Sequence, residues 1–478
     1  MRTDSSIFAK LNNSVCHVLG FGRSNKPLVG FLRKYGARVV VHDKNSDILS
    51  TDEVNNYISE GVEFVTGENY LSSLEGDFIF RSPGFRPDLP EISGAVAKGA
   101  TLTSEMELFF ELTDAKVFAI TGSDGKTTTT TLTYMFLDAE CKKRGRGHAY
   151  VGGNIGTPLL PLVEQMTKDD FAVVELSSFQ LMTMKRSPER AVITNITPNH
   201  MDWHRQRYDE YISAKCNIFM HKPCRVLVTN SEYEVTAEIA RNTDLPVTYF
   251  SSKKSSYGAI VPPYKTNSRA IYEKDGRIVC RGMYGGENEI LKVSDIKLPG
   301  RHNVENYMAA IAVTEGIVSP EIIVDIAKTF GGVEHSLEFV RELDGVKYYN
   351  GSIDSSPSRT HAALCALDRK PVIICGGKDK GIPFDGLARD LCTRVKSVVL
   401  TGATAGVIKN EIEACPLYNA DNLRVELVPD FADAVKMARS MASDGDIVLL
   451  SPACTSFDAF KNFEERGNYF KKIVNEFV

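Results

Sequence analysis

Lys126 and Thr127 stand directly behind a glycine in the run TGSDGKTTTTT, residues 121–131. The apolar VFAI before it reads as a strand, and the threonines after it read as a helix start. A strand that breaks on glycine and re-enters a helix points several backbone N–H groups one way, at the positive end of the helix dipole. That arrangement cradles phosphates. Gly122, Ser123, Asp124, Gly125 and Thr128 would complete the cradle. Lys126 would add a charge on the outer phosphates, and the Thr127 hydroxyl an oxygen for Mg²⁺. Nucleotide triphosphate chemistry is the first expectation. The loop is a shortened variant: the common pattern would put a glycine at position 120, where this chain has Ile120, and only Ser123 and Asp124 separate its two glycines. A Gly-Lys-Thr tripeptide alone would also suit an ordinary helix start. The strand before it and the helix after it favour phosphate.

Two further clusters end apolar strands in the same region. Glu175 closes FAVVE and is followed by Leu176, Ser177, Ser178, Phe179 and Gln180. Asn195, Thr197, Asn199, His200 and Asp202 follow AVIT. A carboxylate and an imidazole there could hold Mg²⁺ against nucleotide phosphates. Taken singly, Glu175 reads as well as a capping acid, and His200 as a loop histidine bonded to backbone. Nearer the N-terminus, VCHVLGFGRSNKPLVGFLRKYGARVVVHD reads strand, glycine turn, helix, strand. A dinucleotide fingerprint would place its third glycine at Asn25, which weakens a nicotinamide or flavin reading. Asp43 ends the second strand about 20 residues on, where a ribose-binding acid belongs. A tight turn without a ligand competes with nucleotide binding. A second glycine turn, Ser82-Pro83-Gly84, follows DFIFR. Two such turns suit a site at the carboxyl edge of a parallel sheet.

The elements that must position these residues alternate strand and helix along the chain, which implies an α/β fold. Its 478 residues predict three domains at ~150 residues each. The spacing divides them into 1–104, 105–332 and 333–478. DEYISAKCNIFMH (209–221) and NVENYMAAIAVTEGI (303–317) have helical spacing; residues 246–298 turn shorter and more strand-like. An apolar fraction of 43% is ordinary for a soluble globular chain, and a net charge of −5 gives no electrostatic case for nucleic acid. No run of ~18 apolar residues predicts a membrane span, and the N-terminus lacks a signal peptide's apolar core. Of ten cysteines, no two lie closer than Cys216 and Cys224. That spacing excludes Cys-x-x-Cys metal knuckles and suits buried, reduced thiols in a cytoplasm. Monomer is the default expectation.

Seven segments in this order, TGSDGKTTT, GGNIG, ELSSFQL, NITPNHMDWH, YISAK, LPGRHNVEN and SPACTSFDAFKNFEERG, resemble the Mur ligase family. ELSSFQL and SPACTSFDAFKNFEERG are most typical of its D-glutamate-adding members. The resemblance runs from about residue 15 to the C-terminus. It implies a Rossmann-like N-terminal domain, a central phosphate-loop ATPase-like domain with a mixed sheet, and a Rossmann-like C-terminal domain. It further implies an ATP-dependent ligase of bacterial peptidoglycan precursor synthesis. Such an enzyme joins D-glutamate to UDP-N-acetylmuramoyl-L-alanine through an acyl phosphate and a tetrahedral intermediate. By the same resemblance, Lys126, Glu175, His200 and Lys215 are catalytic. Thr127 and Glu175 would hold one Mg²⁺, and His200 a second, helped by Lys215 as a carbamate. Gly22, Arg23, Ser24, Asn25, Asp43, Ser82 and Gly84 would hold the UDP portion and Asn154 the muramoyl part. Lys380, Ser456, Phe457 and Phe463 would line the D-glutamate site. Asn303 would meet adenine, and His335 would line the nucleotide.

The chain departs from the family at three positions. Ser336 stands where arginine is common, Gly351 where aspartate is usual, and Ile353 where many members have lysine. Loss of the acid and the arginine predicts a weaker ATP KM, which Gly351→Asp is expected to tighten; Arg359 or Asp354 could compensate. Two alternatives stay open. One is another Mur-type amide ligase with a different amino acid. The other is a nucleotide-binding protein of this fold with impaired turnover.

Overall fold

Strand Val15–Leu19 is buried at four of its five positions, and it pairs in parallel with Arg38–Asp43 on one side and Phe78–Arg81 on the other. Strands buried on both faces need helical cover, which the βα alternation supplies. In the computed structural model, which describes residues 6–201, 203–282, 285–379 and 381–478, these strands form the middle of a parallel five-stranded sheet. Its order is Glu63–Thr66, Arg38–Asp43, Val15–Leu19, Phe78–Arg81, Thr101–Thr103. Gly20 ends the first strand at φ +84°, where a Cβ would stand 3.0 Å from Ser82 Oγ. The turn needs that glycine.

The second sheet has nine strands. Seven are parallel, in the order Arg269–Lys274, Val247–Ser251, Val226–Asn230, Arg190–Ile193, Lys116–Thr121, Phe171–Glu175, Ala149–Gly153. Two antiparallel strands, Arg277–Gly282 and Asn288–Lys292, extend its edge and make it mixed, as the sequence implied. Strand Arg190–Ile193 is shorter than the apolar pattern suggested. Thr194 N keeps a last bond to Thr121 O, while the Thr194 hydroxyl and the Asn195 side chain bond the phosphate loop. Helix Tyr208–Cys216 likewise ends before His221, and helix Arg301–Thr314 stops short of Gly316, which sits at φ +75°.

The third sheet orders Glu338–Leu343, Val346–Asn350, Ile447–Leu450, Val372–Cys375, Ser397–Leu400, Arg424–Leu427, parallel except for its first pair. The chain forms two compact units. The first two sheets, with Glu305–Ile326, make one; Ser294–Val304 and Ala327–Val478 make the other. All ten cysteines are unpaired, and burial raises the thiol pKa of eight of them. Among the described residues no helix is long and apolar enough to cross a membrane.

Candidate active site

Strand Lys116–Thr121 breaks at Gly122, and helix Lys126–Arg144 begins behind Gly125, which caps it at φ +76°. Neither glycine has room for a side chain. A Cβ on Gly122 would lie 1.8 Å from Thr194 Oγ1, and one on Gly125 2.3 Å from Asn306 Oδ1. The two residues between them are spent on shaping the loop. Ser123 N donates to Asn195 O (2.9 Å), its hydroxyl to Thr197 O (2.8 Å), and Asp124 N to Asn195 Oδ1 (2.9 Å). With the Ser123 proton committed, Tyr211 OH, 2.8 Å away, donates to Ser123 Oγ. The N–H groups of the first helical turn, which no i−4 carbonyl satisfies, are left to face an anion. Lys126 Nζ donates to Ser123 O at 2.8 Å, folded back over the loop.

Glu175 ends the neighbouring strand and is 1% exposed. Asn154 Nδ2 donates to its Oε1 at 2.7 Å, while Oε2 is buried with no hydrogen-bond partner. The GGNIG turn makes this approach possible: a Cβ on Gly153 would stand 2.3 Å from Glu175 O. Asn154 is thus engaged with the acid. An orphaned carboxylate oxygen is an open ligand position, so the residues present fit a hard cation.

Lys215 is 2% exposed, on helix Tyr208–Cys216. Its Nζ donates to Gly122 O (2.7 Å) and Thr121 Oγ1 (3.3 Å), over the Tyr211 ring. Burial, then the charge of Lys126, pushes the ammonium well below its ordinary range, against the pull of Asp124 and Glu175. An isolated helical lysine reads as a solvated side chain; here it is packed against the floor of the phosphate loop.

His200 stands apart from that floor. It is exposed, at φ +55°, with its ring 5.0 Å from that of Phe179. Among the described residues no three His, Cys, Asp or Glu side chains converge as a preformed metal cluster. Asp202 lies outside the described residues.

On the first sheet, Asp43 accepts from Phe21 N (2.8 Å) and Asn45 N (2.9 Å), and buried Asn25 donates to Leu19 O and Gly20 O. These two residues build the turn. Ser24 and Asn25 border a small cleft of about 20 Å³ with Arg81, Pro83, Ser104 and Gln180. Gly22 and Gly84 have open space where a Cβ would go, Arg23 is exposed and Ser82 half-buried. Sequence reasoning missed Arg81. The buried Arg81 guanidinium donates to Phe85 O (2.6 Å), Phe179 O (2.7 Å) and Thr183 Oγ1 (3.1 Å). Its one signal was an arginine closing an apolar strand.

In the second unit His335 is buried at φ +67°. Asn350 Nδ2 and Ser352 Oγ lie 3.2 and 3.1 Å from its Nδ1, and the Phe463 ring 5.7 Å from its own. Burial lowers its pKa. Asn303 Nδ2 donates to Pro299 O (2.7 Å), Ser456 is buried, and Phe457 is 63% exposed. Lys380 lies outside the described residues. The Asp354 carboxyl occupies the space beside Gly351: a Cβ there would meet Asp354 Oδ2 at 2.5 Å and Leu450 O at 2.8 Å. An aspartate at 351 would therefore meet a steric clash with Asp354 and the Leu450 carbonyl, which the expectation of tighter ATP binding did not include.

Residues 120–314 match the Mur ligase middle domain, and residues 313–454 the Mur ligase glutamate ligase domain. The chain is 47% identical over 97% of both chains to UDP-N-acetylmuramoylalanine--D-glutamate ligase of Ruminiclostridium cellulolyticum. It is 45% identical over 99% of both to the enzyme of that name from Clostridium acetobutylicum. Among solved structures, UDP-N-acetylmuramate-alanine ligase MurC of Thermotoga maritima aligns with a TM-score of 0.55 at 17% identity, over 97% of this chain and 99% of that one. At that identity the likeness concerns the fold alone.

Proposed function

The chain belongs to the Mur ligase family, and from that premise we propose that it joins D-glutamate to UDP-N-acetylmuramoyl-L-alanine at the expense of ATP. It does so in bacterial cytoplasmic peptidoglycan synthesis. Full-length relatives carrying the D-glutamate ligase name support the choice of amino acid. The observation that carries the chemistry is the packing of Lys215, with Nζ 2.7 Å from Gly122 O, under a phosphate loop beside a carboxylate with an orphaned oxygen.

In this reading Lys126 and the first-turn amides neutralise the γ-phosphoryl oxygens as the L-alanyl carboxylate attacks phosphorus, the bond to the bridging oxygen breaks and ADP leaves. The acyl phosphate then receives the D-glutamate amine. The amine loses a proton, the C–O bond to phosphate breaks, and an amide forms. Thr127 and Glu175 would hold one Mg²⁺, and His200 with carbamylated Lys215 a second. A metal held by these residues would supply Lewis-acid stabilisation of charge on the phosphate oxygens. Carbamylation consumes an uncharged amine and CO₂ and releases a proton, which the depressed Lys215 pKa favours. Residues 1–104, with Gly22, Arg23, Ser24, Asn25, Asp43, Ser82 and Gly84, would receive the nucleotide sugar. Residues 105–332 would handle ATP, with Asn303 and His335 at the adenine nucleotide. Residues 333–478, with Lys380, Ser456, Phe457 and Phe463, would receive D-glutamate.

The test is ADP release from the full-length protein with UDP-N-acetylmuramoyl-L-alanine and a panel of amino acids. Release should require both the nucleotide sugar and D-glutamate. A higher rate with glycine, L-alanine, L-lysine or diaminopimelate would overturn the assignment.

A further inference from the structure

Arg86 leaves the turn after strand Phe78–Arg81 and reaches across its own compact unit. Its Nη1 donates to Trp203 O (2.6 Å) and Glu210 Oε1 (3.0 Å), and its Nη2 to Glu210 Oε2 (3.2 Å). The guanidinium carbon lies 4.9 Å from the Trp203 ring centroid, and Asp88 pairs with its other edge. Both partners are largely shielded, Arg86 13% and Glu210 15% exposed.

Glu210 Oε1 also lies 3.1 Å from Nδ1 of the fully buried His204, whose Nε2 lies 3.0 Å from Ser178 Oγ. The carboxylate only accepts, so His204 Nδ1 carries the proton and Nε2 accepts from the Ser178 hydroxyl. His204 N donates to His200 O at 3.1 Å, and Ser178 sits three residues beyond Glu175. One arginine from the first sheet thus reaches the turn that bears His200 and the segment that follows Glu175. A shielded ion pair adds little net stability, but its forked geometry fixes one arrangement.

We propose that Arg86 is a positioning residue of the ligase: acting through Glu210 and His204, it holds the His200 turn in register with the Ser82–Gly84 turn. This rests on the reading that His200 serves acyl transfer and that the Ser82–Gly84 turn receives the nucleotide sugar. Neither Arg86, Glu210 nor His204 is among the residues expected to touch substrate.

The chain supplies its own reporter, because Trp203 is its one tryptophan and lies on the guanidinium. In full-length Arg86→Gln, kcat should fall about a hundredfold, as misplacement by about 1 Å would cost. The KM for ATP should stay within about twofold of wild type, since the phosphate loop is untouched. Trp203 emission should shift to the red and its anisotropy fall. Arg86→Lys should recover part of both, and Glu210→Gln should reproduce both even if Arg86→Gln does not fold. Wild-type kcat with altered Trp203 emission overturns the proposal. So does a lost kcat with unaltered emission, or a loss that merely tracks thermal midpoint across the three variants. His200→Ala separates the two readings. If it retains wild-type kcat, the role of His200 fails, whereas the Trp203 response to Arg86 still reports on the relay.

Discussion

The Asp354 carboxyl fills the space beside Gly351, with Oδ2 2.5 Å from where a Cβ on the glycine would stand. Ser451 Oγ lies 2.8 Å from that same oxygen and 2.9 Å from Thr360 Oγ1. Burial raises the Asp354 pKa to about 7, against the Ser451 hydroxyl that donates to its carboxylate. The acid three residues on thus stands in the volume that an aspartate at 351 would claim.

Gly351→Asp should therefore destabilise the protein by about 2 kcal/mol, the usual cost of overpacking, and a second buried acid adds to it. It should not tighten ATP. Gly351→Asp with Asp354→Ala should recover part of the loss but not all, because Leu450 O still stands 2.8 Å from the new Cβ. Urea midpoints and ATP KM for the two singles and the double decide it. A stable Gly351→Asp with a lower ATP KM would contradict the steric argument.

Glu175→Gln should trade activity for stability. The acid is 1% exposed, with one oxygen on Asn154 and the other without a partner. Removing a buried, half-satisfied charge should stabilise the metal-free protein by roughly 1 kcal/mol. Turnover should fall about tenfold or more, and added Mg²⁺ should raise the thermal midpoint of the parent but not that of the variant. Equal Mg²⁺ shifts in both proteins would remove Glu175 from the metal's ligands.

How far the site was legible depends on how local each cause is. Gly122, Gly125 and Lys126 act through one turn between a strand and a helix, so their neighbours in sequence are their neighbours in space. Glu175 was legible as a strand end, but not its orphaned oxygen, which depends on the approach of Gly153 and Asn154. Lys215 looked solvated because its burial comes from Thr121 and Gly122, 94 and 93 residues away. The Arg86–Glu210 pair spans 124 residues and leaves no periodic trace. The α/β class followed from apolar runs and turns, and the mixed central sheet from the family resemblance. The early end of strand Arg190–Ile193 did not, because Thr194 and Asn195 read as strand until the phosphate loop claims them.

Lys215 predicts a pH dependence of definite sign. Its folded pKa lies well below the ordinary 10.5. Between the two values the unfolded chain holds a proton that the folded one lacks, so stability rises with pH across that window. Lys215→Met should flatten this rise, read from urea midpoints stepped upward from about pH 7. The same free amine should take up labelled bicarbonate as a carbamate, with a carbon resonance absent in Lys215→Met. Full activity of Lys215→Ala, or failure of high bicarbonate to restore any turnover to a metal-poor preparation, would end the carbamate role.

The first sheet should weaken in acid for a reason independent of the active site. His17 Nδ1 lies 2.8 Å from His42 Nε2, and His42 Nδ1 lies 2.5 Å from Tyr70 O. The carbonyl can only accept, so His42 carries its proton on Nδ1 and offers Nε2 as the acceptor for His17. A second proton on His42 would place two N–H groups face to face. Burial lowers both rings, His42 to about 4. The unfolded imidazole takes up its proton near the ordinary 6.5, so stability is full above that value and drains as pH falls towards 4. For His42 alone the loss should reach about 3 kcal/mol. Hydrogen exchange of strands Val15–Leu19 and Arg38–Asp43 should accelerate across this range beyond its intrinsic rate. His42→Gln keeps a donor for Tyr70 O but has no titration there, so it should flatten the profile; an unchanged acid limb would assign the loss to other groups.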